Sequence, residues 1–162
     1  MAHTSLAIAP FEDLDDECAP APANDQASPP QRILLVEDAA DIRQLTSDVL
    51  RKSGYQVDTA EDGEAGWKML HAVRNDPDSY DLLITDNNMP RLSGCELIKR
   101  VRAERIILPV ILATGSEPIN TECLQLAALL PKPFTSDQLV QTVKQALHWS
   151  SVIVNKGDYR HT

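Results

Sequence analysis

The strongest constraint on what this chain can fold into is a recurring unit, a short aliphatic run that stops abruptly at a polar residue. Ile33-Leu34-Leu35-Val36 ends at Glu37-Asp38, and Leu82-Leu83-Ile84 runs into Asp86. Residues 109–113 end at Thr114-Gly115, and residues 128–131 end at Lys132-Pro133-Phe134. Aliphatic runs of this length, without polar alternation, suit strands buried on both faces of a parallel sheet. Residues 55–60 alternate and read as one more strand.

Between the strands the period becomes helical. Ile42, Leu45 and Val49 share one face of a first helix that stops at Ser53-Gly54, where glycine can take the left-handed C′ conformation. Asp62-Gly63 turns into a second helix containing Ala65, Met69, Ala72 and Val73. Beyond Gly94 a third helix carries Leu97, Ile98 and Val101 inward. Residues 117–127 give a short, poorly patterned helix, and Thr135 or Ser136 caps a last helix that buries Leu139, Val143 and Leu147. Five strands alternating with helices predict an α/β, doubly wound, five-stranded parallel sheet of flavodoxin-like (βα)5 type. Its strand order is 2-1-3-4-5, with helix four short or irregular and ligands at the carboxyl ends of the strands.

Charge divides the chain. Of its net −9, six acids fall in residues 1–31 without a single Lys or Arg. That stretch, rich in Ala and Pro, reads as a disordered acidic tail. Its F-E-D-L-D-D-E segment puts Phe11 and Leu14 at helical spacing, a weak docking signal. Residues 32–149 form the expected domain and 150–162 a short C-terminal tail, too small for an output domain. No basic stripe offers a surface for nucleic acid, and no apolar run is long enough to span a membrane. Cys18, Cys95 and Cys123 are few and scattered, as expected of reduced thiols in a cytoplasmic protein.

In the predicted order strands one and three are neighbours, so Glu37, Asp38 and Asp86 converge, while Thr114 and Lys132 approach from the other side. Three crowded carboxylates repel one another and need a cation. A hard oxygen site suits Mg²⁺ better than zinc, and the carbonyl of Asn88 lies where a loop can lend another ligand. Asp86 is then a nucleophile toward a phosphoryl group, with the Lys132 ammonium and the Thr114 hydroxyl as donors to its oxygens. Each motif alone has an ordinary reading as a helix cap, a turn or a surface loop. Their joint occurrence at successive strand ends does not.

Glu37-Asp38, the D-x-x-M-P-x-x-x-G pattern at 86–94, Thr114 and Lys132-Pro133-Phe134 resemble the receiver domain of two-component response regulators, from about Arg32 to Leu147. The resemblance implies that Asp86 accepts a phosphoryl group from the phosphohistidine of a histidine kinase or histidine phosphotransfer protein. It implies Asp38 and Asp86 as direct Mg²⁺ ligands, Asn88 through its carbonyl, Glu37 through water, and Thr114 and Lys132 on the aspartyl phosphate. It also implies a cis Lys132–Pro133 peptide, donor contact at helix one and possible homodimerisation.

Two departures bear on signalling. The Thr114–Lys132 interval is shorter than in most receivers, and Leu129 stands where an aromatic ring is common, so a rotating ring is not the readout. Pro131 before the lysine fits an edge strand, which tolerates a missing N–H. The expected function is a phosphorylation-controlled module acting on an unknown downstream protein or as a relay carrier, without enzymatic turnover. The alternatives are a phosphohydrolase working through an aspartyl phosphate, against which Asn88 stands where the dehalogenase-type enzymes place a second acid, and a receiver that no longer signals by phosphorylation.

Overall fold

The computed structural model describes residues 29–116 and 121–156. The acidic stretch before Pro29 and the end of the chain after Lys156 lie outside them. Strands β1 (Arg32–Val36), β2 (Gln56–Ala60), β3 (Leu82–Asp86), β4 (Val110–Thr114) and β5 (Ala128–Pro131) form one parallel sheet in the order β2-β1-β3-β4-β5. Helices α1 (Ala40–Lys52), α2 (Gly63–Ala72), α3 (Gly94–Ala103) and α4 (Ser136–Lys156) connect and cover it. Where a further helix was expected, the described residues hold a single 3₁₀ turn, Glu122–Leu124.

Alternate residues of each central strand feed two cores. Leu34, Val36, Leu83, Val110 and Leu112 pack with Leu97, Ile98 and Val101 of α3. Ile33, Leu35, Leu82, Ile84 and Ile111 pack with Leu50 of α1 and Leu139 and Val143 of α4. Burial on both faces explains why these strands lack polar alternation.

Two expectations about helices need correction. The face of α1 turned to the sheet is Thr46, Ser47 and Leu50, with Val49 half-buried, whereas Ile42 and Leu45 are exposed, Leu45 at 68%. Small hydroxyl side chains let this helix lie close to the sheet, and the Ser47 hydroxyl is satisfied internally by donating to the Gln44 carbonyl at 2.9 Å. The last helix does not stop at Trp149. It continues to Lys156, because no Gly or Pro interrupts it before Gly157. Its cap is Thr135, whose hydroxyl accepts from the Gln138 N–H while the Gln138 side chain accepts from the Thr135 N–H, a reciprocal capping box.

Candidate functional site

The strand ends step across the sheet. Val36 pairs with Thr85, so Glu37 and Asp86 follow at the same level on neighbouring strands. Asp86 pairs with Ala113, and Thr114 pairs with Pro131, so Thr114 and then Lys132 come next. A 2.9 Å bond from the Lys132 N–H to the Thr114 carbonyl carries the ladder one residue beyond the strands. Register thus brings these four residues to one edge, and Asp38 follows Glu37 there.

One carboxylate oxygen each from Glu37, Asp38 and Asp86 lies within 4.8 Å of the others. Glu37 and Asp86 are buried and Asp38 is exposed. Lys132 Nζ donates to Glu37 Oε2 at 2.7 Å and lies 3.4 Å from Asp86 Oδ1. Burial pushes the Glu37 carboxyl above its usual range, and Asp86 adds to this against the opposing pull of Lys132. Burial alone would lower the Lys132 ammonium, but its bond to Glu37 and the charge of Asp86 outweigh that and hold it above its ordinary value. Three hard oxygen donors on one side of a single ammonium fit a divalent cation of the Mg²⁺ type.

Thr114 is buried at the end of β4, but its hydroxyl donates to the Ser116 carbonyl at 2.7 Å and accepts from the Ser116 N–H at 3.2 Å. Asn88 is exposed in the loop after β3. The Lys132–Pro133 peptide is cis, as the resemblance implied.

Several supporting residues escaped sequence reasoning. Arg43 Nη1 donates to the carbonyls of Glu37 and Asp38 at 2.6 and 3.2 Å, clamping the backbone of the acidic pair from α1. The Asn87 side-chain oxygen accepts from the Cys95 N–H and its carbonyl from the Gly94 N–H, which ties the residue after Asp86 to the start of α3. Ser93 and Glu96 complete a capping box there. A Cβ on Gly94 would overlap the Asp86 carbonyl, so only glycine allows this approach. Arg91, in the left-handed region at φ 67°, pairs with the buried Asp62 at the N-cap of α2. The Ala65 N–H, first, and then Arg91 hold the Asp62 carboxyl below its ordinary range. A glycine after a capped strand end was a readable signal, whereas donation from Arg43 to a backbone carbonyl leaves no mark in the sequence.

A doubly wound sheet with an acidic cluster and a lysine at its carboxyl edge defines the class of molecule as a flavodoxin-like α/β domain with an anionic, cation-ready site. A model described as the response regulator receiver domain matches residues 33–144. The chain belongs to that family, the receiver domains of two-component systems. The transcriptional regulatory protein CpxR of Escherichia coli K12 is 36% identical over 126 residues, which cover 74% of this chain and 51% of that protein. The rice two-component response regulator-like protein PRR73 is 36% identical over 114 residues, 67% of this chain and 14% of that protein. The chain therefore spans about half or less of the length of these relatives. The chemotaxis response regulator CheY4 of Vibrio cholerae superposes with a TM-score of 0.64 at 28% identity, covering 72% of this chain and 98% of that one. The response regulator TrrA of Thermotoga maritima, solved in complex with Mg²⁺–BeF, gives 0.63 at 32% identity with the same coverage.

Proposed function

We propose that this chain is a phosphoacceptor module of a two-component phosphorelay. Asp86 takes a phosphoryl group from the phosphohistidine of a histidine kinase or histidine phosphotransfer protein. The phosphorylated chain then acts on a downstream protein by contact, or passes the group on. The observation that carries this reading is Asp86 itself, buried at a strand end beside two carboxylates and 3.4 Å from the Lys132 ammonium.

An Asp86 carboxylate oxygen attacks phosphorus, the phosphorus–nitrogen bond of the donor breaks, and the imidazole nitrogen keeps the electron pair. Lys132 moves from Glu37 onto a phosphoryl oxygen, and Thr114 turns its hydroxyl from Ser116 toward another. Asp38 and Asp86 would be the direct ligands for Mg²⁺, with Asn88 lending its carbonyl and Glu37 acting through water. When bound, the cation neutralises charge gathering on the phosphoryl oxygens. The neighbour TrrA, solved in complex with Mg²⁺–BeF, supports that assignment. Helix α1 meets the donor, and its exposed Ile42 and Leu45 support this. Leu129, 40% exposed on edge strand β5, has no ring to rotate, so the readout runs through Thr114 and the loop after it. No helix of the described residues is long and apolar enough to cross a membrane; a cytoplasmic site and a capacity to homodimerise belong to the same proposal.

The test is labelling with acetyl phosphate and Mg²⁺. One acid-stable, base-labile label per chain, absent in Asp86→Asn, is the expected result. Continued phosphate release from varied esters would instead identify a phosphohydrolase. No label under any donor would identify a receiver that no longer signals by phosphorylation. Transfer profiles against histidine kinases and histidine phosphotransfer proteins name the donor.

A further inference from the structure

The edge of the sheet opposite Asp86 carries a cleft that phosphoacceptor chemistry leaves unused. It encloses about 380 Å³ between the end of α2 and the segment following α3, with Leu70, Arg74, Tyr80, Arg105, Ile107 and Leu108 in its lining. Leu70, Tyr80 and Leu108 are buried and make an apolar floor, while Ile107 stands 93% exposed at the rim. The Arg105 side chain is exposed and its guanidinium has no hydrogen bond or ion pair among the described residues. Arg74 pairs with Glu104 at 3.0 Å, so two guanidiniums face one carboxylate. Apolar floor, exposed aliphatic rim and surplus positive charge together call for an acidic peptide carrying a few apolar anchors.

The chain contains such a peptide. Residues 11–17, F-E-D-L-D-D-E, hold five carboxylates around Phe11 and Leu14, and nothing in the receiver function uses them. We infer that this segment docks into the cleft of its own chain, Phe11 and Leu14 against the apolar floor and rim, the carboxylates at Arg105 and Arg74.

Connectivity favours the same chain. The described residues begin at Pro29, beside β1, and Arg32 ties that entry to the segment leading into β3. Its Nη1 donates to the Asp78 carbonyl at 2.6 Å and its N–H to Asp81 Oδ2 at 2.7 Å. Tyr80, in that segment, is part of the cleft's floor. Strands lie about 4.8 Å apart, so the cleft beneath β3 and β4 begins roughly 5–10 Å from where the chain enters the sheet. The eleven residues between Glu17 and Pro29 reach up to roughly 36 Å extended, more than the gap to be spanned. A tether of that length gives an effective concentration of about millimolar, enough for a weak contact to be occupied. The hollow nearer the entry, lined by Pro29, Pro30, Asp78 and Asp81, has the wrong sign, since the Arg32 guanidinium is already held by Asp58 and the Asp78 carbonyl.

Cys18 lies next to the acidic segment, so the full chain carrying Cys95→Ser and Cys123→Ser takes a single spin label there. In ¹⁵N spectra of that chain the expected result is selective loss of amide intensity at residues 70–75 and 104–108, with amides around Asp86 unaffected. The loss should disappear in Arg105→Glu, in the double variant Phe11→Ala/Leu14→Ala, and in 1 M salt, where the screening length falls to about 3 Å. The Phe11/Leu14 variant leaves every described residue unchanged and so keeps the test independent of the domain's stability. No loss, uniform loss, or loss centred on Asp78 and Asp81 would overturn the inference. Mixing spin-labelled ¹⁴N chain with unlabelled ¹⁵N chain separates the remaining case: loss that appears equally in the mixture would mean docking onto a second copy, and would overturn it as well.

Discussion

Lys132 holds the resting site together at the scale of single residues. Among the described residues it is the one ammonium paired with these two buried carboxylates, and its removal leaves Glu37 and Asp86 without a countercharge in a low-dielectric edge. Lys132→Met is expected to cost about 1–3 kcal/mol in urea unfolding, less than for a fully buried pair because the lysine is partly solvated. Adding Glu37→Gln should recover part of that loss, since the orphaned charge goes with it, and a double-mutant cycle measures the coupling. Tyr80 offers a second test, far from the acidic site. Burial, then the bond from its hydroxyl to Asp58 at 3.0 Å, pushes the phenol up to about 12. The unfolded chain releases that proton near 10 and the folded chain does not, so stability falls as pH rises from about 10 to 12. Absorbance titration should show a late tyrosinate step that Tyr80→Phe abolishes. Residues at strand ends were readable because strand order places them. The choice of acceptor was not: a threonine at a strand end announces a hydroxyl, but only the fold shows that Ser116 holds it.

Among the elements, the 3₁₀ turn that stands where a fourth helix was expected depends on one side chain. Arg102 of α3 donates to the carbonyls of Leu124 and Gln125 on one side and of Ile106 and Leu108 on the other, at 2.9–3.2 Å. Arg102→Met keeps the apolar stem but orphans four carbonyls, for an expected loss of about 2–3 kcal/mol. Hydrogen exchange should rise across residues 121–127 well before it rises in β4; equal protection in both variants would remove this clamp from the account. Gly94→Ala is expected to destabilise by about 2–4 kcal/mol, because its methyl meets the Asp86 backbone and not a yielding side chain. Strands and α3 were legible in the sequence because their apolar positions match one period without conflict. Helix α1 was misread because Ile42 and Leu45 satisfy the same helical spacing that Thr46 and Leu50 do, and periodicity does not rank a small buried hydroxyl above an exposed leucine. Residues 121–127 lacked a helical pattern because they hold only the turn Glu122–Leu124, in which Leu124 alone is buried.

For the whole molecule, the acidic edge is a local excess of like charge that the rest of the fold must hold closed. A cation that binds only the assembled site stabilises the folded chain by mass action, about 1.4 kcal/mol at tenfold over its dissociation constant. Mg²⁺ should therefore raise the unfolding midpoint of the wild-type chain. Asp86→Asn should be the more stable protein in EDTA, by about 1 kcal/mol, because it relieves repulsion from Glu37 and Asp38. It should also gain much less from Mg²⁺. An Asp86→Asn chain that is no more stable without metal would mean that Lys132 already balances the cluster.

The bond between Lys132 and Glu37 also has a place in time. It joins residues 95 apart in sequence, and contacts of such separation close late in folding. At about 5–20 residues per second of synthesis, the ribosome makes the acid roughly 5–20 s before it makes the lysine. An emerging chain thus carries Glu37 well before it owns the ammonium that completes the pocket. On the function proposed above, competence to take a phosphoryl group cannot precede the synthesis of Lys132 and of the α4 residues that complete the core.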